Sequence, residues 1–200
     1  MKNIALSLVI YALLNVGLMA GNGVQQIDDM VAEDSQNGFY LGMGIGAVSI
    51  RTDDADMSFF SSEPGQDRVG SISLLIGYDY SQYIAFEGRY TLSAFREDAI
   101  EMDSWSIFLK PKYEIGQSDI SVYGLLGFGN STANSSSIRD IVDIDESGFQ
   151  WGVGIEYRVY ENFFIFVDYI DGGNDMENIA VDQVGEIDMD ILTLGLTYRY

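Results

Sequence analysis

Side-chain alternation at a two-residue period from Phe39 to the C-terminus predicts strands. There are about eight such segments of roughly ten residues, joined by connections that alternate long and short. Together these observations predict an all-β chain, an eight-stranded antiparallel up-and-down transmembrane β-barrel. Roughly ten residues is the length a tilted strand needs to cross a bilayer. An even strand count puts every long loop at one end of a barrel and every short turn at the other. The last stretch is the plainest case. Leu194, Leu196, Tyr198 and Tyr200 share one face, and Thr193, Gly195, Thr197 and Arg199 share the other. A terminal strand leaves an open edge unless it pairs again, and a barrel closes that edge by joining the last strand to the first.

Taken in order, the chain opens on Lys2 and a nearly continuous apolar run from Ile4 to Ala20. Residues 1–20 are expected to be a secretory signal peptide, with cleavage after Ala20 or after Gly23. The run contains Asn15 and Gly17 and is a little short for a spanning helix. Residues 21–37 are polar and acidic without sustained periodicity, and are expected to be a flexible periplasmic lead-in. The barrel is expected over residues 38–200.

The first strand is expected over Phe39–Arg51, with Phe39, Leu41, Met43, Ile45 and Ala47 opposite Gly42, Gly44 and Gly46. No P-loop lysine and no helix accompany these glycines, so they are the small side of a strand and not a phosphate cradle. Val69–Tyr80 and Tyr83–Leu92 follow, turning at Ser81-Gln82. Asp103–Ile115 sets Trp105, Ile107, Leu109, Pro111 and Tyr113 against Ser104, Ser106, Lys110 and Lys112, and Pro111 predicts a local break in the ladder. Asp119–Gly129 is ambiguous, because Tyr123 and Leu125 fall opposite Ile120, Val122, Leu126 and Phe128. Phe149–Tyr160 alternates clearly, Glu161-Asn162 turns, and Phe163–Ile170 returns with Asp168 facing the other way. The final strand is expected from about Ile187 to Tyr200. Long connections are expected at Thr52–Arg68, Phe95–Met102, Ser131–Ser147 and Gly172–Glu186.

The polar faces carry charges of both signs beside many glycines, and the apolar faces carry aromatics near strand ends. A membrane barrel turns its apolar face outward because lipid is its solvent. The aromatics then fit interfacial girdles, and the glycines suit a crowded interior. An eight-stranded barrel is just wide enough for side chains to fill it, so its interior charges must pair. Glu87, Glu156 and Asp168 are expected to pair with Arg89, Lys110, Lys112, Arg158 and Arg199. That network reads as a plug, with an ion gate as the alternative.

The C-terminal stretch also resembles a known family. Thr193, Gly195, Tyr198 and Tyr200 fill, in order, the assembly signal of the small outer-membrane β-barrels that include the OmpA-like and OmpX-like transmembrane domains. The resemblance spans about residues 38–200. It implies the cell outer membrane of a Gram-negative bacterium, both termini periplasmic, outer-membrane lipid or lipopolysaccharide around the wall, and recognition by the barrel-assembly machinery. Larger relatives continue into a peptidoglycan-binding domain. This chain ends at Tyr200, so a cell-wall tether is not carried over.

Composition removes most chemistry. The formal net charge of −21 excludes the basic footprint that nucleic-acid binding needs. Without histidine or cysteine, Ser–His and Cys–His arrangements, disulfides and zinc–thiolate sites are unavailable. No enzymatic activity and no cofactor are expected. Asp53, Asp54, Asp56, Asp143, Asp145 and Glu146 make acidic loops that are weak candidates for a divalent cation, although no spacing matches an EF-hand. The expected role is structural, with acidic loops for surface interaction and no loop partner indicated. The alternatives are a narrow porin for ions or very small solutes and a secreted soluble lipid carrier.

Overall fold

The alternating segments form eight strands in the computed structural model, which describes residues 37–52, 59, 66–95, 100–116, 118–135, 143–176 and 187–200. They are β1 (Gly38–Thr52), β2 (Gln66–Ser81), β3 (Ile84–Phe95), β4 (Ile100–Glu114), β5 (Ile120–Ser135), β6 (Asp143–Tyr160), β7 (Phe163–Met176) and β8 (Ile187–Arg199). Each pairs antiparallel with its sequence neighbour, and β1 pairs with β8 to close the barrel. The expected signal peptide, and all of the lead-in except Asn37, lie outside the described residues.

The wall faces as the alternation requires. Met43, Ile45, Ile107, Phe149, Val153, Leu194 and Leu196 are exposed on its outer side. Glu87, Arg89, Lys110, Glu156 and Asp168 are buried inside. A soluble lipid carrier would show the reverse. Aromatics ring the outside near both ends. Phe39 packs tilted against Tyr78 and Phe163 edge-to-face against Tyr198, each with ring centroids 4.9 Å apart, at the short-turn end. Tyr90, Trp105, Phe128, Phe149 and Trp151 lie toward the long loops.

Four inward aromatics explain many of the glycines. Tyr40 lies in register with Gly77, Phe108 with Gly127, Tyr123 with Gly154, and Phe166 with Gly195. In each pair the ring occupies the space that a Cβ on the glycine would need. The glycines are therefore seats for rings, which lets large side chains fill a narrow lumen.

Pro111 interrupts the β4–β5 ladder, as its missing N–H requires. Pairing stops after Leu109↔Leu126 and resumes in the same register at Lys112↔Tyr123. The turn between β4 and β5 uses Gly116 at φ +63°, a conformation that glycine adopts without a steric penalty.

The strands run further toward the loops than the apolar pattern predicts. β5 continues to Ser135, β6 starts at Asp143 and β7 reaches Met176. Asp143, Asp145 and Glu146 are therefore strand residues paired with β5, not loop residues as expected. Asp53, Asp54 and Asp56 lie outside the described residues. Toward the loop ends the apolar pattern also changes phase. On β1 the apolar positions are odd up to Ala47 and even at Val48 and Ile50, yet the register shows no shift there. The same slip separates Met189 and Ile191 from Leu194 and Leu196, and Met102 from Trp105 and Ile107. The backbone is continuous, so it is the solvent outside the wall that changes. Beyond the lipid, the outer face becomes polar and the inner face apolar. Ile170, Ile191, Val48 and Val69 form one cross-strand row of that inner core.

Candidate functional site: a charge chain across the lumen

Alternation delivers charged side chains to the interior near the short turns, and all eight strands take part in the cluster they form. Its spine alternates in sign: Asp168, Arg89, Glu87, Lys110, Glu156, Arg199, Asp79, Lys112. The Arg89 guanidinium forks onto Asp168, with Nη1 and Nη2 donating at 2.9 and 2.8 Å. It also donates to Glu87 Oε1 from Nη2 at 2.7 Å and from Nε at 3.2 Å. Lys110 Nζ donates to Glu87 Oε2 at 3.1 Å and lies 3.7 Å from Glu156. Arg199 binds both oxygens of Glu156 at 2.9 and 3.0 Å, and its Nε reaches Asp79 at 2.9 Å. Lys112 closes the chain on the other oxygen of Asp79.

Two tyrosines complete it. Tyr40 from β1 donates to Glu87 at 2.8 Å, and Tyr123 from β5 donates to Asp168 at 2.9 Å. Lys110 sits between their rings, 4.0 Å from the centroid of Tyr123 and 5.4 Å from that of Tyr40. Arg199 lies 3.8 Å over Phe164. Four carboxylates thus face four cations, and Glu87, Glu156 and Asp79 each touch two of them. Multiple hydrogen bonds per ion are what offset the desolvation of buried charge.

Above this cluster the described residues place hydroxyl and amide groups in the lumen beside Phe108 and Leu125. Ser73 bonds Thr91 at 2.8 Å, Ser104 bonds Ser131 at 3.0 Å, and Ser106 donates to Gln150 at 2.5 Å. The apolar core runs alongside, from Tyr123, Leu125 and Phe108 through Ile170 to Val48, Ile50, Val69, Met102, Met189 and Ile191 at the loop end.

Among the residues singled out from sequence, Arg158 stands apart from this chain. It lies at the rim, 3.7 Å from Glu114 and 3.9 Å from Asp119, with its side chain 38% exposed. Its position two residues before the β6–β7 turn carries it past Glu156 and out of the lumen. Asp79, Tyr40 and Tyr123 were missed. Asp79 was legible, since it alternates with Ser73 and Gly77 on the inner face. The two tyrosines read as apolar residues on the wrong face, and only the partner glycines hint at their seats.

Of the terminal motif, Thr193 is buried inward in register with Asp168, and Gly195 faces the ring of Phe166. Tyr198 packs edge-to-face against Phe163 on the outer side, and Tyr200 follows β8.

An apolar outer wall around a paired, side-chain-filled lumen defines an integral membrane β-barrel. The chain belongs to the family described as outer membrane protein beta-barrel domain, which matches residues 14–200, and its place is the cell outer membrane. The attachment invasion locus protein Ail of Yersinia pestis is similar in structure, at 20% identity and TM-score 0.54, over 82% of this chain and 99% of that one. Neisserial surface protein A is similar at 15% identity and TM-score 0.57, over 82% and 97%. The N-terminal barrel of Pseudomonas aeruginosa OprF is similar at 12% identity and TM-score 0.55, over 82% and 98%. At these identities the likeness concerns the fold. No curated protein matches the sequence.

Proposed function

We propose that this protein is a closed outer-membrane barrel with a structural and surface-interaction role. The observation that carries this reading is the filled lumen: a balanced charge chain drawn from six strands and completed by tyrosines from the other two, hydroxyl and amide groups above it, and an apolar core that reaches the loop end. An ion entering from the short-turn end would have to break paired charges, and one entering from the loop end would meet hydrocarbon. Recording in a planar bilayer tests this. Pure protein is expected to give no steady conductance, and a large, stable conductance would make it a narrow porin instead.

The role is non-enzymatic on this reading, since the chain contains neither histidine nor cysteine. Strand parity supports periplasmic termini: Gly38 and Arg199 lie at the short-turn end, and outer-membrane barrels keep short turns in the periplasm. Residues 1–20 would direct export as a signal peptide. Thr193, Gly195, Tyr198 and Tyr200 would be read by the assembly machinery before β8 closes on β1, and lipid or lipopolysaccharide would surround the finished wall.

A further inference from the structure

The lipid-facing wall is not evenly filled. On its outer side Gly124 stands in register with Val153, Val153 with Tyr169, and Tyr169 with Leu192. Gly124 puts no side chain into this row. Across from it stands Pro111, whose ring lies 3.5 Å from where a Cβ on Gly124 would be. The next row toward the short turns carries Tyr113, Val122 and Ile155. Between the two rows runs an open, apolar groove of about 680 Å³, floored by the backbone of Tyr123 and Gly154. It begins beside Tyr113 and crosses from β4 to β8, climbing toward Tyr169. Five strands spaced about 4.8 Å apart make it roughly 19 Å long. Inclined as such rows are, that is about the depth of one leaflet, half of a ~30 Å hydrocarbon core.

A charged rim lies below the lower mouth. Glu114 follows Tyr113, and Arg158 stands 3.7 Å from Glu114 and 3.9 Å from Asp119. Both separations are too long for a hydrogen bond. Arg158 Nε is buried without a hydrogen-bond partner among the described residues, while Glu114 and Asp119 are exposed. The cations of the lumen, by contrast, each donate to a carboxylate.

We propose that groove and rim together hold one phospholipid of the leaflet at the short-turn end, with an acyl chain in the groove and a zwitterionic, primary-amine headgroup on the rim. Arg158 donates to its phosphate, and its ammonium donates to Glu114 and Asp119. Each rim charge then gains an opposite, hydrogen-bonded partner. An anionic headgroup without an amine would add negative charge where two carboxylates already face one guanidinium. A choline headgroup carries no N–H to donate. Such a lipid differs from the surrounding bilayer in number and in headgroup: one per barrel, and phosphatidylethanolamine before phosphatidylglycerol.

Native mass spectrometry of the full barrel tests both parts, with the protein released from detergent that contains equal amounts of phosphatidylethanolamine and phosphatidylglycerol. The wild type is expected to retain a single phosphatidylethanolamine. Gly124→Leu and Val153→Trp each fill the groove from the lipid side and are expected to lose it. Gly88 is also a glycine of the outer wall, in register with the exposed Ile76 and Ile107 and remote from the groove. Gly88→Leu is therefore expected to keep the lipid. Glu114→Gln combined with Asp119→Asn is expected to keep a lipid and lose the preference between headgroups. A heat-modifiability gel reports which variants fold, and two groove variants guard against the failure of one. Retention of the lipid by a folded groove variant, or loss of it in Gly88→Leu, would overturn the proposal. So would a wild type without headgroup preference, or a preference that survives the rim variant.

Discussion

The lumen near the short turns and the lumen near the long loops lie behind the same continuous wall and are built on opposite rules. Near the short turns the outside is hydrocarbon-facing and the inside holds alternating charges. Near the loops the inside is Val48, Ile50, Val69, Met102, Met189 and Ile191, and the outer positions alternate to residues such as Asp103, Asn130 and Thr132. A strand only guarantees that neighbours face opposite ways. Which face is apolar is set by the solvent outside. Lipid demands an apolar exterior and leaves the interior to polar groups that satisfy one another. Water permits a polar exterior and leaves the interior to the hydrophobic effect. The lower half resembles a membrane barrel and the upper half a soluble one, on the same strands.

This comparison can be broken by removing what holds each half. The largest effect is expected at Glu87, which accepts from Arg89, Lys110 and Tyr40. Glu87→Ala leaves cations buried without their partner and is expected to cost about 4 kcal/mol, read by urea unfolding in lipid with a heat-modifiability gel. In the upper half Met189→Ala removes buried hydrocarbon and leaves a cavity, at about 3 kcal/mol in the same assay. The two should differ in kind, since Met189→Ala leaves every ion pair of the lower chain in place.

Gly154→Ala sharpens the account of the lower half. Its Cβ would enter the ring of Tyr123, which is held by Asp168 and Lys110, so a loss of about 2 kcal/mol is expected. An alanine that stabilised the strand instead would show that the ring is not seated there. The smallest effect belongs to Arg158, at the rim and with ion partners no closer than 3.7 Å. Arg158→Ala is expected to change stability by less than about 1 kcal/mol. A loss as large as that at Glu87 would place Arg158 in the chain after all.

Much of the fold was legible because lipid enforces strict alternation. Phe149 to Val159 could hardly be anything but a membrane-facing strand. Legibility failed where that constraint ends. At Met102 on β4 and Ile144 on β6 the apolar phase slips, and without structure the slip reads as the end of a strand. Asp143, Asp145 and Glu146 looked like loop residues for the same reason. The charged side chains of the lumen announced themselves, since charge in mid-strand has few alternatives. Tyr40 and Tyr123 did not, because a tyrosine suits either face, and only the glycine across the ladder distinguishes them. Arg158 shared the inner parity with Glu156, and alternation alone does not say how far along the axis a side chain lies.

The inversion itself is most directly measured by single-cysteine spin labels scanned along β1 and β5, reading collision with oxygen, which concentrates in lipid, against a water-soluble nickel complex. Labels at Met43, Ile45, Leu126 and Phe128 are expected to favour oxygen, those at Asn130 and Thr132 nickel, and those at Val48 and Ile50 neither. Oxygen contact continuing at Val48 and Ile50, or nickel contact at Phe128, would contradict a wall whose polarity reverses between its two halves.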